Sequence, residues 1–169
     1  RRRAHPSVND LFSQTYDVAR DRILAAAATV QAATDSHTIA AHGPDDARLA
    51  VDVITVGARR PTQATVVSSG LHGVEGFFGS AVQLAWLRDL AAGRVSLPAG
   101  AAVTIIHALH PYGFARHRRT DAHNAELTRN FPADDRGESY RRVPPHHAAV
   151  HPSPPPGPPP PPPRPLPRP

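Results

Sequence analysis

The sequence contains no cysteine, which excludes several classes of protein. Disulfide scaffolds, cysteine-ligated zinc fingers, iron–sulfur proteins and enzymes with a thiol nucleophile all require cysteine. The sequence also lacks a long apolar run, and residues 1–6 lead into polar residues rather than into a hydrophobic segment. We therefore expect no transmembrane span, no secretory signal and a cytoplasmic protein.

Aromatic residues are scarce, at 5% of the 169 residues, whereas hydrophobic residues make up 40%. Much of this apolar content is alanine. The length fits one domain, so we expect a single, modest core built from small side chains.

Lysine is absent too, and arginine is the only strong base. Three arginines open the chain and two lie near its end, so residues 4–163 hold 14 arginines against 14 acidic residues. The net charge of +5 therefore indicates no basic face. We expect no nucleic-acid partner.

Proline is concentrated in residues 144–169, where it accounts for 15 of 26 residues and no acidic residue occurs. Such a segment has too little apolar surface to offset the entropy of ordering it, so we expect polyproline II structure or disorder. The composition therefore predicts a folded part over 1–143 and a proline-rich tail over 144–169.

Hydrophobic periodicity predicts helices and strands in the preceding part. The predicted elements are a helix over 13–33, strands over 36–41, 49–57 and 64–69, a helix over 77–92 and a strand over 101–109. We expect Ser13 to be the N-cap of the first helix, the first two strands to form a hairpin, and the third strand to be buried. The helix between the last two strands predicts a right-handed crossover and an α/β fold.

The residues after the third strand read Ser-Ser-Gly-Leu-His-Gly-Val-Glu-Gly, over 68–76. In α/β sheets, functional residues collect at the carboxyl ends of strands. The glycines allow a tight loop that aims His72 and Glu75 at one point, an arrangement suited to a divalent metal. The same spacing at His123 and Glu126 shows that spacing alone is not specific. Alternatively, Glu75 caps the following helix and His72 is a hydrogen-bonded loop residue.

A second cluster follows the strand over 101–109 and includes Arg118, Arg119 and Arg129. Guanidinium forks match carboxylate oxygens, so these side chains beside a metal would suit an anionic substrate. The alternative is that they are surface arginines paired with nearby acidic residues. Those residues are Asp121, Glu126, Asp134 and Asp135.

Together the clusters form an ordered set of motifs: Ser-Gly-x-His-Gly-x-Glu-Gly, Pro-Tyr-Gly-Phe, Arg-Arg and Glu-Leu-Thr-Arg-Asn-Phe. This order resembles the zinc carboxypeptidase superfamily, and more closely a bacterial branch of carboxypeptidase-like proteins of unassigned function. The resemblance covers residues 11–131. It implies the N-terminal portion of a carboxypeptidase-like mixed sheet flanked by helices.

The resemblance also implies a zinc cofactor. His72 and Glu75 match two of the zinc ligands, and Glu126 matches the acidic residue that orients the ligand histidine. The implied activity is hydrolysis of a peptide or amide bond next to a free carboxylate.

The substrates implied by the resemblance are small peptides or acylated amino acids. Arg118 or Arg119 would polarise the scissile carbonyl group. Arg129, with Thr128 and Asn130 beside it, would hold the free carboxylate of the substrate.

The sequence departs from the family pattern in several ways. Thr128 replaces an asparagine, Glu126 is one methylene longer than the usual aspartate, and His110 stands where asparagine is usual. In the superfamily a third zinc ligand and a general-base glutamate lie well downstream of the Arg-Asn-Phe motif. Here only 38 residues follow Phe131, and three of them are histidines. They are His146, His147 and His151. We therefore expect an incomplete zinc site and a truncated, inactive chain.

The proline-rich tail has two interpretations. Arginine without lysine and abundant alanine indicate G+C-rich coding, and the tail composition is typical of such DNA read in a shifted frame. Alternatively, the chain is a noncatalytic interaction protein. Pro159, Pro162 and Arg164 fit the PxxPxR pattern bound by SH3-like partners.

Overall fold

Four strands form a mixed sheet in the order β1-β2-β4-β3. The structure, a computed structural model, describes residues 8–130, except for the side chains of residues 129 and 130. The strands are β1 (Ala33–His42), β2 (Arg48–Gly57), β3 (Gln63–Ser68) and β4 (Ala101–His107). β2 pairs antiparallel with β1 and with β4, whereas β3 and β4 are parallel. The predicted hairpin is confirmed, and the two strands joined by the predicted crossover are parallel.

Three α-helices accompany the sheet in this part of the chain. They are α1 (Tyr16–Thr29), α2 (Gly73–Ala91) and α3 (Pro111–Arg116). Short 3₁₀ helices occupy Val8–Leu11, Pro44–Asp46 and Leu127–Asn130. None of the helices within residues 8–130 is long and apolar enough to cross a membrane.

The N-cap of α1 is Thr15, whose hydroxyl accepts a hydrogen bond from the Val18 N–H at 3.3 Å. The prediction that Ser13 caps this helix is therefore wrong. The Ser13 hydroxyl instead accepts from the Arg22 guanidinium at 2.9 Å. This side chain also donates to backbone carbonyls of residues 10–12, so it holds the segment that leads into α1.

Helices α1 and α2 share one core with a single face of the sheet. Its buried residues are Ile23, Ala26, Ala27, Ile54, Leu84, Leu87 and Ile105. Ile54 and Ile105 are neighbours across β2 and β4, which places the middle of the sheet under both helices. The molecule is thus a mixed α/β protein with a four-stranded sheet flanked by helices.

Strand β3 is exposed along its whole length, with Val66 at 63% and Val67 at 40% exposure. The prediction of a buried strand is therefore wrong. The periodicity of the sequence identifies the apolar side chains of β3, but it does not show where the strand lies in the sheet. β3 lies at an edge, where only β4 pairs with it among the described strands.

A charged group lies inside the core, because Asp52 on β2 is completely buried. The Arg20 guanidinium of α1 donates to both carboxylate oxygens of Asp52, at 2.7 and 2.9 Å. The Ser36 hydroxyl donates to the same carboxylate at 2.5 Å. A buried carboxylate is tolerated when charge pairing and hydrogen bonds compensate its lost hydration. This pair therefore ties α1 to the sheet.

Replacing Arg20 with alanine should leave the Asp52 carboxylate buried without its countercharge. We expect the free energy of unfolding to fall by about 3–5 kcal/mol, as in other broken buried pairs. Urea unfolding followed by circular dichroism measures the change. The control is Arg48→Ala, which removes an exposed arginine from β2. Equal losses in the two variants would contradict the stabilising role of the buried pair.

His107, at the end of β4, is another buried titratable group. Its Nε2 lies 3.0 Å from the Ser80 hydroxyl oxygen, and its Nδ1 has no hydrogen-bond partner among the described residues. Burial lowers the pKa of His107 to about 4, against a smaller opposing effect of Asp52. The imidazole is therefore neutral in the folded protein near neutral pH.

The depressed pKa of His107 predicts an acid-sensitive fold. Between its ordinary pKa of about 6.5 and its folded pKa of about 4, the unfolded chain binds a proton that the folded chain excludes. Stability should therefore decrease by up to about 3 kcal/mol as the pH falls through this interval. Urea unfolding at several pH values tests the effect. His107→Asn should reduce the slope, whereas His123→Asn, at an exposed position, should preserve it.

Candidate functional site

The loop between β3 and α2 places His72 at the start of a helix. Gly70 has a φ of +67°, and a Cβ at this position would lie 2.5 Å from the Ala108 Cβ. Glycine is therefore required there for both its conformation and its size. The next turn brings the backbone to His72, which is the N-cap residue of α2.

Helix α2 begins at Gly73, four residues before the predicted start at residue 77. Glycine lowers helix propensity, so the run from Gly70 to Gly76 favoured a loop in the sequence analysis. Packing overrides this preference, because a Cβ on Gly76 would lie 3.0 Å from the buried Phe114 ring. His72 and Glu75 consequently occupy the N-cap and the first turn of one helix.

His72 and Glu75 are in direct contact. The His72 Nδ1 lies 2.8 Å from the Glu75 Oε1, and the two side chains are 12% and 65% exposed. A hydrogen bond from its own backbone N–H lowers the pKa of the Glu75 carboxyl, and the His72 imidazole lowers it further. Glu75 therefore lies in the first turn of α2 with its carboxylate paired to the His72 imidazole.

A second carboxylate, that of Glu126, faces the other side of the His72 ring. Its Oε1 lies 3.6 Å from the His72 Nε2. The same oxygen accepts hydrogen bonds from the Arg119 Nε at 2.9 Å and the Thr128 hydroxyl at 2.7 Å. Glu126 is only 12% exposed, so these donors fix its position beside the imidazole.

The structure places the two adjacent arginines differently. Arg119 is paired with Glu126, as the surface-pairing alternative anticipated, and its side chain is 61% exposed. The Arg118 guanidinium donates to the Asn124 side-chain carbonyl and also belongs to an exposed residue. Both cations therefore lie at the surface. Glu126 connects Arg119 to the histidine cluster, by which we mean His72, Glu75 and Glu126.

Several side chains singled out in the sequence lie outside the part of the chain that the structure describes. Arg129 and Asn130 belong to the last 3₁₀ helix, but their side chains lie outside the described residues. Asp134, Asp135, the three later histidines and the tail over 144–169 also lie outside them.

His110, which stands where asparagine is usual in the family pattern, is part of the site region. It is 5% exposed, and neither ring nitrogen has a hydrogen-bond partner among the described residues. Burial lowers the pKa of His110, while Asp121 opposes the shift. Its position directly after a buried strand was the available sequence signal.

Imidazole nitrogen and carboxylate oxygen are the donors that zinc accepts in proteins, so His72 and Glu75 are chemically suited to hold this ion. Within residues 8–130, no group of three or more metal-ligating side chains is arranged around one point. A catalytic zinc site has three protein ligands. The described part of the chain thus contains a donor pair but no complete metal site.

The motifs and this fold coincide with a known protein family. Residues 12–153 match the family described as "Protein of unknown function (DUF2817)", and the chain belongs to it. No curated protein matches the chain.

Among solved structures, 21 chains are similar to this protein. The glutaminyl cyclase of Fimbriiglobus ruber matches with a TM-score of 0.40 and 8% identity, over 59% of this chain and 40% of the cyclase. A glutaminyl cyclase of Porphyromonas gingivalis matches with a TM-score of 0.38 and 15% identity, over 62% and 48%. This chain therefore spans less than half the length of either protein.

Proposed function

We propose that this domain is part of a zinc-dependent hydrolase of peptide or amide bonds next to a free carboxylate, and that it is inactive without the third zinc ligand and the general base that the resemblance places downstream. The observation that carries the proposal is the position of the His72 imidazole between two carboxylates, Glu75 at Nδ1 and Glu126 at Nε2. The resemblance of the motif order to the zinc carboxypeptidase superfamily supports it independently.

The two carboxylates have different tasks in this proposal. Glu126 is nearly buried and held by Arg119 and Thr128, with its Oε1 3.6 Å from the His72 Nε2, so its charge would orient the imidazole. Zinc would replace the proton that lies between the His72 Nδ1 and Glu75, and these two groups would then hold the ion. The lowered pKa of Glu75 keeps its carboxylate ionised, as a metal ligand must be. Bound zinc would supply Lewis-acid chemistry, the polarisation of a substrate carbonyl group.

The exposed arginines favour an anionic substrate. Guanidinium groups remain charged at all physiological pH values and bind carboxylates through two parallel hydrogen bonds. Arg118 and Arg119 lie at the surface beside the histidine cluster, where they attract such a group. The resemblance assigns the carboxylate-binding role to Arg129.

Zinc titration of the intact chain by calorimetry tests the proposed metal site. We expect binding weaker than that of a three-ligand site, and a further loss of about two orders of magnitude in His72→Ala. This magnitude follows because about 10–16 kcal/mol of binding free energy is shared among four ligands in structural zinc sites. Glu75→Gln should weaken binding in the same direction.

The matched control for zinc binding is His123→Ala. His123 has the same three-residue spacing to an acid, Glu126, but it is exposed and lies outside the contact with His72. Zinc affinity should be unchanged in this variant. Equal losses in His72→Ala and His123→Ala, or no zinc binding by the unmodified chain, would refute the assigned metal site.

Ligand binding in the presence of zinc tests the substrate class. We expect N-acyl amino acids to bind more tightly than the corresponding carboxamides, which lack the negative charge. Arg129→Lys should weaken the affinity for the carboxylate about tenfold or more, because a hydrogen bond to a charged group contributes about 1.5–3 kcal/mol. Arg60→Lys, at an exposed bend between β2 and β3, is the control. An equal affinity for acids and carboxamides would argue against the substrate class.

A further inference from the structure

Two backbone hydrogen bonds of Arg118 join the end of α3 to the start of α2. The Arg118 N–H donates to the Gly113 carbonyl at 2.8 Å, and the Arg118 carbonyl accepts from the Gly73 N–H at 2.9 Å. We call this arrangement of Gly73, Gly113 and the Arg118 peptide the glycine clamp. It connects two segments that are about 40 residues apart in sequence.

Both glycines are required by space rather than by backbone conformation, because neither has a positive φ. A Cβ on Gly73 would lie 2.3 Å from the Gly113 carbonyl oxygen and 2.5 Å from the Arg118 nitrogen. A Cβ on Gly113 would lie 2.5 Å from the Arg118 carbonyl oxygen. The neighbours of Gly73 are backbone atoms, so a larger residue there would have to displace the main chain. A Cβ on Gly113 would in addition lie 2.6 Å from the His110 Nδ1.

The clamp also substitutes for a helix cap. The first N–H groups of a helix lack partners within it, and an N-cap side chain usually accepts from one of them. His72 is the N-cap of α2, but its side chain makes no capping hydrogen bond. The Arg118 carbonyl instead accepts a hydrogen bond from the first N–H group of the helix, that of Gly73. The His72 ring is thereby free to lie between Glu75 and Glu126.

We propose that Gly73 and Gly113 are positioning residues that set the distance between the His72–Glu75 pair and the Arg118–Arg119 pair. The role of the clamp in substrate binding rests on the proposed function. The distance between the two pairs affects substrate binding only if the His72–Glu75 pair binds metal and the Arg118–Arg119 pair attracts the substrate carboxylate. Gly73 directly follows His72 and lies two residues before Glu75, and Arg119 directly follows Arg118, so the clamp fixes both pairs within two residues of its hydrogen bonds. A displacement of about 1 Å in such a site can reduce activity about 100-fold.

Amide hydrogen exchange of the intact chain, measured by NMR, tests the clamp without reference to activity. In the unmodified protein, the amides of Gly73 and Arg118 should be protected. Gly113→Ala should accelerate their exchange, while the amides of residues 80–91 in α2 remain protected. Gly43→Ala is the control, because the closest neighbours of its Cβ are side-chain atoms at 3.0 Å or more.

The same variants separate positioning from general stability. Gly113→Ala should retain the zinc affinity of the unmodified chain, since His72 and Glu75 lie on one helix start, but should weaken binding of N-acyl amino acids about tenfold or more. Arg118→Ala keeps both backbone hydrogen bonds, so Gly73 should remain protected in it.

The clamp proposal is wrong if the amides of Gly73 and Arg118 exchange like exposed loop amides in the unmodified chain. This measurement does not depend on whether any variant folds. The proposal is also wrong if Gly113→Ala leaves both exchange and ligand affinity unchanged, or lowers zinc affinity and the protection of α2 together. If the unmodified chain binds neither zinc nor N-acyl amino acids, the proposed function fails. The exchange measurements then still decide whether the clamp holds the two segments together.

Discussion

The parallel pairing of β3 with β4 is the constraint on which the candidate site depends. Parallel strands end at the same edge of a sheet, so the residues that follow them must meet. Hydrogen bonds continue past the strands, from the Leu109 N–H to the Ser69 carbonyl and from the His110 N–H to the Gly70 carbonyl, both at 2.8 Å. This continuation brings the loop that carries His72 against the segment that leads to Arg118.

The sequence was informative wherever one local pattern determined the outcome. Two consecutive strands predicted the hairpin, the helix between the next two strands predicted the crossover and the α/β class, and the glycine-bracketed motif directed attention to His72 and Glu75. The element boundaries depended on tertiary contacts instead. The Ser13 hydroxyl accepts a hydrogen bond from Arg22, and Thr15 is the N-cap of α1 instead. Gly76 packs on Phe114, and α2 begins earlier than its sequence pattern indicates.

Contacts between distant residues could not be read from local patterns. The approach of Glu126 to His72 joins residues 54 positions apart and depends on donors from Arg119 and Thr128. The burial of Asp52 in the middle of β2 depends on Arg20, 32 positions earlier. In both cases a carboxylate is stabilised by arginine, the only strongly basic side chain that this sequence contains.

The two edges of the sheet differ in their ability to pair with another strand. β1 carries Asp35 and His37 and has an irregular register between Thr38 and His42, features that discourage additional pairing. β3 has no charged residue and pairs in an unbroken register with β4. Within residues 8–130, no strand pairs with its outer edge, which carries exposed valines. Of the two edges of the sheet, that of β3 is therefore the better suited to pair with a further strand.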